Sequence, residues 1–154
     1  MKYWLIKSEP EAFSIQDLED SPDQITHWDG IRNYQARNFM RDDMKIGDKL
    51  LFYHSNCKEI GVVGVAEVVK ESYPDHTAWD SNSKYYDSKS TPDNPRWFMV
   101  DVKLVEKFKR TVTLKEIKNE PKLADMKLVQ KGVRLSVQPV TKEEFQHIAK
   151  MAKQ

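Results

Sequence analysis

Apolar and polar positions along this chain fall into short segments. Tyr3 to Lys7 is β-branched and aromatic and closes at Ser8-Glu9-Pro10, which predicts a first strand. Ile46-Gly47-Asp48 is a turn signal, and Lys49 to His54 reads as a second strand. Ile60 to Val69 is an almost unbroken apolar run, the pattern of a strand covered on both faces. Gly61 and Gly64 inside it predict a bulge or the close approach of another backbone or a ligand. From Trp97 to Lys109, Phe98, Val100, Val102 and Leu104 alternate with Met99, Asp101 and Lys103, the period of a strand. Leu135-Ser136-Val137 predicts a last short strand ending at Pro139.

Helical signals are brief and carry their own caps. Ser14 to Asp17 has the outline of a capping box and opens a helix to about Asp20, which Ser21-Pro22-Asp23 ends. Asn33 is placed to cap a helix over Tyr34 to Arg41, with Arg37 and Arg41 on one face. Thr113 to Glu116 repeats the capping-box spacing. Thr141 to Glu144 caps a final helix in which Phe145, Ile148, Ala149 and Ala152 fall at i, i+3, i+4 and i+7. Between the strands, Ser72 to Pro95 is long and polar yet carries Tyr73, Trp79, Tyr85 and Tyr86, which suits a binding loop. Strands outnumber helices and nothing alternates as βαβ. The expected class is α+β: a small, mostly antiparallel curved sheet or open barrel with short helices packed around it.

Length and composition narrow the setting. The 154 residues suit one domain, 1–154, with a proper core. The single cysteine, Cys57, excludes a disulfide within the chain and fits a reducing, intracellular setting. The apolar run before Lys7 is too short for a signal peptide, and no stretch approaches a membrane span. A net charge of +1 argues against a non-specific nucleic-acid coat. Charge is uneven, with 12 Lys and Arg against 17 Asp and Glu in residues 1–100, and 13 against 7 in residues 101–154. A basic C-terminal third either steers a phosphate backbone or is a solvated surface.

Candidate chemistry concentrates in Trp28 to Asn38, which gathers two aromatics, two arginines, two asparagines and a glutamine around Gly30. Planar rings beside amide and guanidinium groups suit a planar, polar ligand such as a nucleobase; the competing reading is a half-buried helix start. Tyr53-His54-Ser55-Asn56-Cys57 looks reactive, but neighbours on a strand point to opposite faces. His54, His76 and Cys57 match no closed zinc site, so no metal is expected. There is no glycine-rich phosphate loop, and no spacing supplies a general acid–base pair, so no catalytic residue and no cofactor is expected. Trp4 and Trp97 lie within strands and read as core, leaving Trp28 and Trp79 as candidates to face a ligand.

Six segments together resemble the EVE domain: Tyr3 to Pro10, Trp28 to Asn38, Phe52 to Asn56, Tyr73-Pro74-Asp75, Pro95-Arg96-Trp97 with Val100-Asp101-Val102, and Leu135 to Pro139. They run in the family's order from Tyr3 to the final helix. The resemblance implies a PUA-like fold and a kinship with the YTH domain, which holds a methylated adenine in an aromatic cage. It implies a modified-base pocket with Ser8 after the first strand and Trp28 as the cage tryptophan. Ile31, Asn33, Tyr34 and Gln35 would come from the shared signature, Tyr53, His54 and Ser55 from the strand-end motif, and Trp79 from the variable loop. Lys7, Arg32 and Arg37 would hold phosphate. The expected function is a non-catalytic reader of a modified base, modified cytosine in DNA first and a modified RNA base second. The partner would be nucleic acid or nucleoside. The alternative is a hydrolase of modified nucleosides, as in the ASCH relatives. The expected location is the cytoplasm in a bacterium and the nucleus in a eukaryote.

Overall fold

A computed structural model describes residues 1–154. Six strands form one sheet: β1 (Tyr3–Ser8), β2 (Ile25–His27), β3 (Lys49–His54), β4 (Gly61–Pro74), β5 (Phe98–Thr113) and β6 (Val137–Val140), in the order β2-β5-β4-β3-β1-β6. Four short helices accompany it: α1 (Ile15–Asp20), α2 (Tyr34–Asn38), α3 (Leu114–Lys118) and α4 (Lys142–Met151). The fold is therefore α+β, an open curved sheet edged by short helices.

One strand pairing departs from the antiparallel pattern. β1 runs parallel to β3, Tyr3 opposite Lys49 through Ser8 opposite His54, and antiparallel to β6. A parallel pair needs a long crossover, and here residues 9–48 supply it. No βαβ signal shows in the sequence because that crossover contains β2, which leaves to pair with β5 at the far edge (Thr26 opposite Val102). The crossover also brings the signature stretch back over the end of β1. That return positions the site.

Both faces of the sheet are covered. Trp4, Ile6, Leu50, Phe52, Val100 and Val102 pack beneath Ile15, Leu18, Trp28 and Met40. Leu5, Leu51, Tyr53, Phe108 and Val112 pack against Ile117, Leu123, Met126 and Ile148 on the other side. Phe52, Leu5 and Leu51 are wholly buried, each contributing about 1.5–3 kcal/mol of transfer free energy. The β4–β5 register shifts repeatedly, first between Val62 and Gly64. A Cβ on Gly61 would lie 2.3 Å from the Val112 carbonyl oxygen, and one on Gly64 would lie 2.2 Å from Ile15 Cδ1. These glycines admit a neighbouring strand and a helix side chain where the ladder bends.

The helices begin where their caps place them. Ser14, Thr113 and Thr141 each form a complete capping box, with Asp17, Glu116 and Glu144 returning the bond. Asn33 accepts the Ala36 N–H and starts α2. The expected helix to Arg41 instead widens into a π turn over Phe39–Asp43, closed by Met44 N–H to Phe39 O.

Candidate nucleobase cavity

At the C-terminal end of β1 the chain encloses a cavity of about 570 Å³, within the usual range for small-ligand sites. Its walls come from Lys7-Ser8-Glu9, from Ala12 and Phe13 in the next turn, from Thr26 to Ile31, from Lys84-Tyr85, and from Ser136 before β6. Four regions far apart in sequence, residues 7–13, 26–31, 84–85 and 136, thus meet at one point, because β1 sits between β3 and β6 and the crossover folds over its end.

Trp28 forms the floor. It is 7% exposed, its ring edge-on to Phe13 at 6.2 Å and to Phe52 at 5.4 Å, and its backbone N–H donates to Val100 O. The other two buried tryptophans use their indole groups structurally: Trp4 Nε1 donates to Asp48 and Trp97 Nε1 donates to Asp87. The Trp28 indole N–H has no protein acceptor and is not sealed from solvent. A buried ring with an uncommitted donor on a cavity suits an acceptor-bearing ligand.

Tyr85 also lines the cavity, its backbone held by Arg32, which pairs with the buried Asp75. Arg32 donates through Nε and Nη2 to Tyr85 O at 3.0 and 2.7 Å, and through Nη1 to Asp75 Oδ2 at 3.1 Å. Asp75 is wholly buried and also accepts the Gly30 N–H, the Thr77 N–H and the Thr77 hydroxyl. Burial alone would raise its pKa, but the bonds from Thr77, Gly30 and Arg32 outweigh burial and hold it below the ordinary carboxylate value. Gly30 has φ +78°, and a Cβ there would meet the Tyr85 ring at 2.5 Å. This glycine is needed for its backbone conformation and for ring contact alike.

The expected site residues fall into two groups. Ser8, Trp28 and Ile31 line the cavity. So does Lys7, although its ammonium lies on the other face of the sheet, 5.7 Å from the Tyr53 ring centroid. Ser8 Oγ donates to Phe13 O at 2.7 Å and ties the β1 end to the next turn. Asn33, Tyr34, Gln35, Tyr53, His54, Ser55 and Trp79 are not among the lining residues. Asn33 spends its side chain on the α2 cap. Tyr34 points outward and stacks on Trp97. Gln35 is exposed on α2, and Ser55 uses its N–H to bond Ser8 O behind the cavity wall. Tyr53 is buried in the opposite core, one residue out of phase with Phe52. His54 Nε2 accepts the Ile15 N–H at 3.1 Å and so anchors α1. Trp79 ends a single 3-10 turn, His76–Trp79, that Asp75 caps. Arg32 and Arg37 are engaged with the protein, Arg32 as above and Arg37 with Arg96 O and Asn38 Oδ1.

Phe13, His27, Asp29, Lys84, Tyr85 and Ser136, with Glu9, Ala12, Thr26 and Gly30, complete the walls. His27 Nε2 lies 3.8 Å from Asp29 Oδ2 at the rim. Tyr85 was visible as one of four aromatics in the long loop, but choosing it over Trp79 needs the Arg32–Asp75 contact, which spans 43 residues.

An open mixed sheet with a Trp28-lined cavity at the end of its parallel strand defines an α+β fold whose cavity has the size of a small-ligand site. A sequence model of the EVE domain matches residues 2–151, and the chain belongs to the EVE domain family. Human thymocyte nuclear protein 1 is 48% identical over 163 residues, spanning 95% of this chain and 72% of its own length. The chicken protein of that name is also 48% identical, over 95% of this chain, but the chain spans only 66% of its length. Among solved structures, the human THYN1 protein in complex with DNA containing 5-methylcytosine superposes with a TM-score of 0.93 at 46% identity, over 100% of this chain and 99% of that one. A Pseudomonas syringae protein gives 0.93 at 47%, over 97% and 99%. The YTH domain of the Zygosaccharomyces rouxii MRB1 protein, bound to N6-methyladenosine RNA, gives 0.56 at 16%, over 99% of this chain and 86% of that one, a likeness of fold alone.

Proposed function

We propose that this chain is a non-catalytic reader of a modified nucleobase, modified cytosine in DNA in the first place. The observation that carries the reading is Trp28, buried yet facing a cavity with an indole N–H that no protein group accepts. The complex of the 46%-identical human protein with 5-methylcytosine DNA supports the choice of ligand. The base stacks on the Trp28 ring with Tyr85 beside it, the in-plane Trp28 N–H meets an oxygen of the adjoining sugar or phosphate, and Ala12 and Ile31 offer apolar surface to the modification. A stack on an aromatic ring is worth about 1–3 kcal/mol, and one buried methyl separates modified from plain base by about 1–3 kcal/mol. Residues 1–154 act as a single EVE domain. The protein works where its nucleic acid lies, in the nucleus of a eukaryote or the cytoplasm of a bacterium. No helix is long and apolar enough to cross a membrane.

Titration of matched oligonucleotides, with and without 5-methylcytosine, tests the reading. The modified strand binds about tenfold or more tightly, and Trp28→Ala removes that advantage and about 1–3 kcal/mol of affinity. Equal weak binding of both strands, unchanged by Trp28→Ala, overturns it.

A further inference from the structure

Outside the cavity, α2 presents an aromatic face that the pocket does not use. Tyr34 is 52% exposed, and its ring stacks on Trp97 at 4.8 Å between centroids and 23° between planes. The Arg37 guanidinium lies 4.8 Å from the Tyr34 centroid and 5.9 Å from that of Trp97. Were Arg37 on the far side of Tyr34, its separation from Trp97 would approach the sum of the other two distances. At 5.9 Å it does not cap the stack from the far side, and Tyr34 keeps half of its surface exposed.

Charge distinguishes this corner. Arg32, Arg41 and Arg96 are each paired, with Asp75, Asp42 and Asp87. Arg37 bonds only a carbonyl and an amide oxygen and enters no ion pair. Burial first, and then the Arg41 charge, disfavours the Arg37 cation, the nearby Asp42 charge offsets them only in part, and an incoming anion adds to that offset. A half-exposed aromatic ring beside a guanidinium that enters no ion pair matches one ligand chemistry well, a base on the ring and its phosphate on the cation.

The corner is also tied to the cavity. Tyr85, Arg32, Trp97 and Tyr34 form a continuous row with separations of 5.6, 5.4 and 4.8 Å. That length falls within about five nucleotide steps at roughly 3.4 Å of rise each. The geometry points to Tyr34 and Arg37 as a second nucleotide site, which takes an unpaired nucleotide a few positions along the strand from the base held in the cavity. The inference rests on the base-reading function proposed above. It adds that the ligand is a strand with unpaired nucleotides beside the modified one.

Binding of a short single-stranded oligonucleotide with one 5-methylcytosine, compared with binding of the free 5-methyl-2′-deoxycytidine nucleoside, tests it. Tyr34→Ala weakens the oligonucleotide roughly 5- to 150-fold, the range of one base–aromatic stack. It leaves the nucleoside unchanged, and Tyr34→Phe retains wild-type binding of both. Trp28→Ala weakens both ligands. A 2-aminopurine a few positions from the modified base is quenched by the wild type and not by Tyr34→Ala. If Tyr34→Ala leaves the oligonucleotide unchanged while Trp28→Ala weakens it, the second site is refuted and the cavity reading stands. Equal losses on oligonucleotide and nucleoside would refute it too, since Tyr34 would then act through the cavity or through folding. If Trp28→Ala changes neither ligand, the reading beneath it falls as well.

Discussion

Gly30 carries more of the site than its size suggests. Its φ of +78° lies in the left-handed region, its N–H is one of the donors that hold Asp75, and its bare Cα lets the Tyr85 ring lie against the backbone. Gly30→Ala therefore meets backbone strain and a ring collision together. Strain of this kind costs about 1–3 kcal/mol, and Tyr85 has to move to admit the methyl. Thermal unfolding should show the loss of stability, and ligand titration a loss of affinity beyond it, because the displaced ring is a cavity wall. Unchanged affinity in a folded Gly30→Ala variant would remove Tyr85 from the site. Residue identity alone marked Gly30 as a turn. It did not show Tyr85, because nothing local in Lys84-Tyr85-Tyr86 separates the ring that turns inward from the one that stays 49% exposed.

The elements around the cavity were legible wherever a cap or a strict alternation marked them. Three capping boxes and the shared phase of Val100, Val102 and Leu104 emerge as the sequence pattern implies, whereas Phe98 is only partly buried and Met99, of the opposite phase, is buried. β2 escaped notice, since three residues carry no period and their partner strand lies more than seventy positions away. His54 shows how an element borrows a reactive-looking residue. Its ring accepts the first N–H of α1, and burial holds its pKa below the ordinary imidazole value despite the opposing charge of Asp17. The neutral ring is the one that can accept this bond. With the folded pKa depressed, the unfolded chain takes up the proton first, so this contribution is complete above about pH 6.5 and is lost as pH falls through the lower folded value. Denaturant titrations from pH 7.5 to 5 should show declining stability, and His54→Gln, whose amide oxygen also accepts, should flatten part of that slope. An identical slope in the variant would mean that His54 does not anchor α1 in solution.

For the whole molecule, the parallel insertion of β1 between β3 and β6 is the decisive feature. It places the end of β1 against Ser136 on one side, Lys7 N–H bonding Ser136 O, and against Ser55 on the other, Ser55 N–H bonding Ser8 O. It also obliges residues 9–48 to arch over the strand end with Phe13 and Trp28. The signature stretch was visible in the sequence as unusual chemistry. Its division of labour was not, because capping, core packing and outward stacking depend on contacts that close only in the fold. Trp28 faces the ligand cavity, Asn33 caps, Tyr34 turns outward, and Arg32 holds the Tyr85 backbone.

The central claim is that the base lies on Trp28. Among the four tryptophans, Trp28 alone combines a buried ring, a place on the cavity wall and an indole N–H without an acceptor. Indole N–H resonances in a proton–nitrogen correlation spectrum, assigned with Trp28→Phe, report on it directly as a 5-methylcytosine oligonucleotide is added. The Trp28 indole signal should move in proportion to occupancy while that of Trp4, bonded to Asp48 and remote from both proposed sites, holds still. A bound oligonucleotide that leaves the Trp28 indole signal in place would contradict the account.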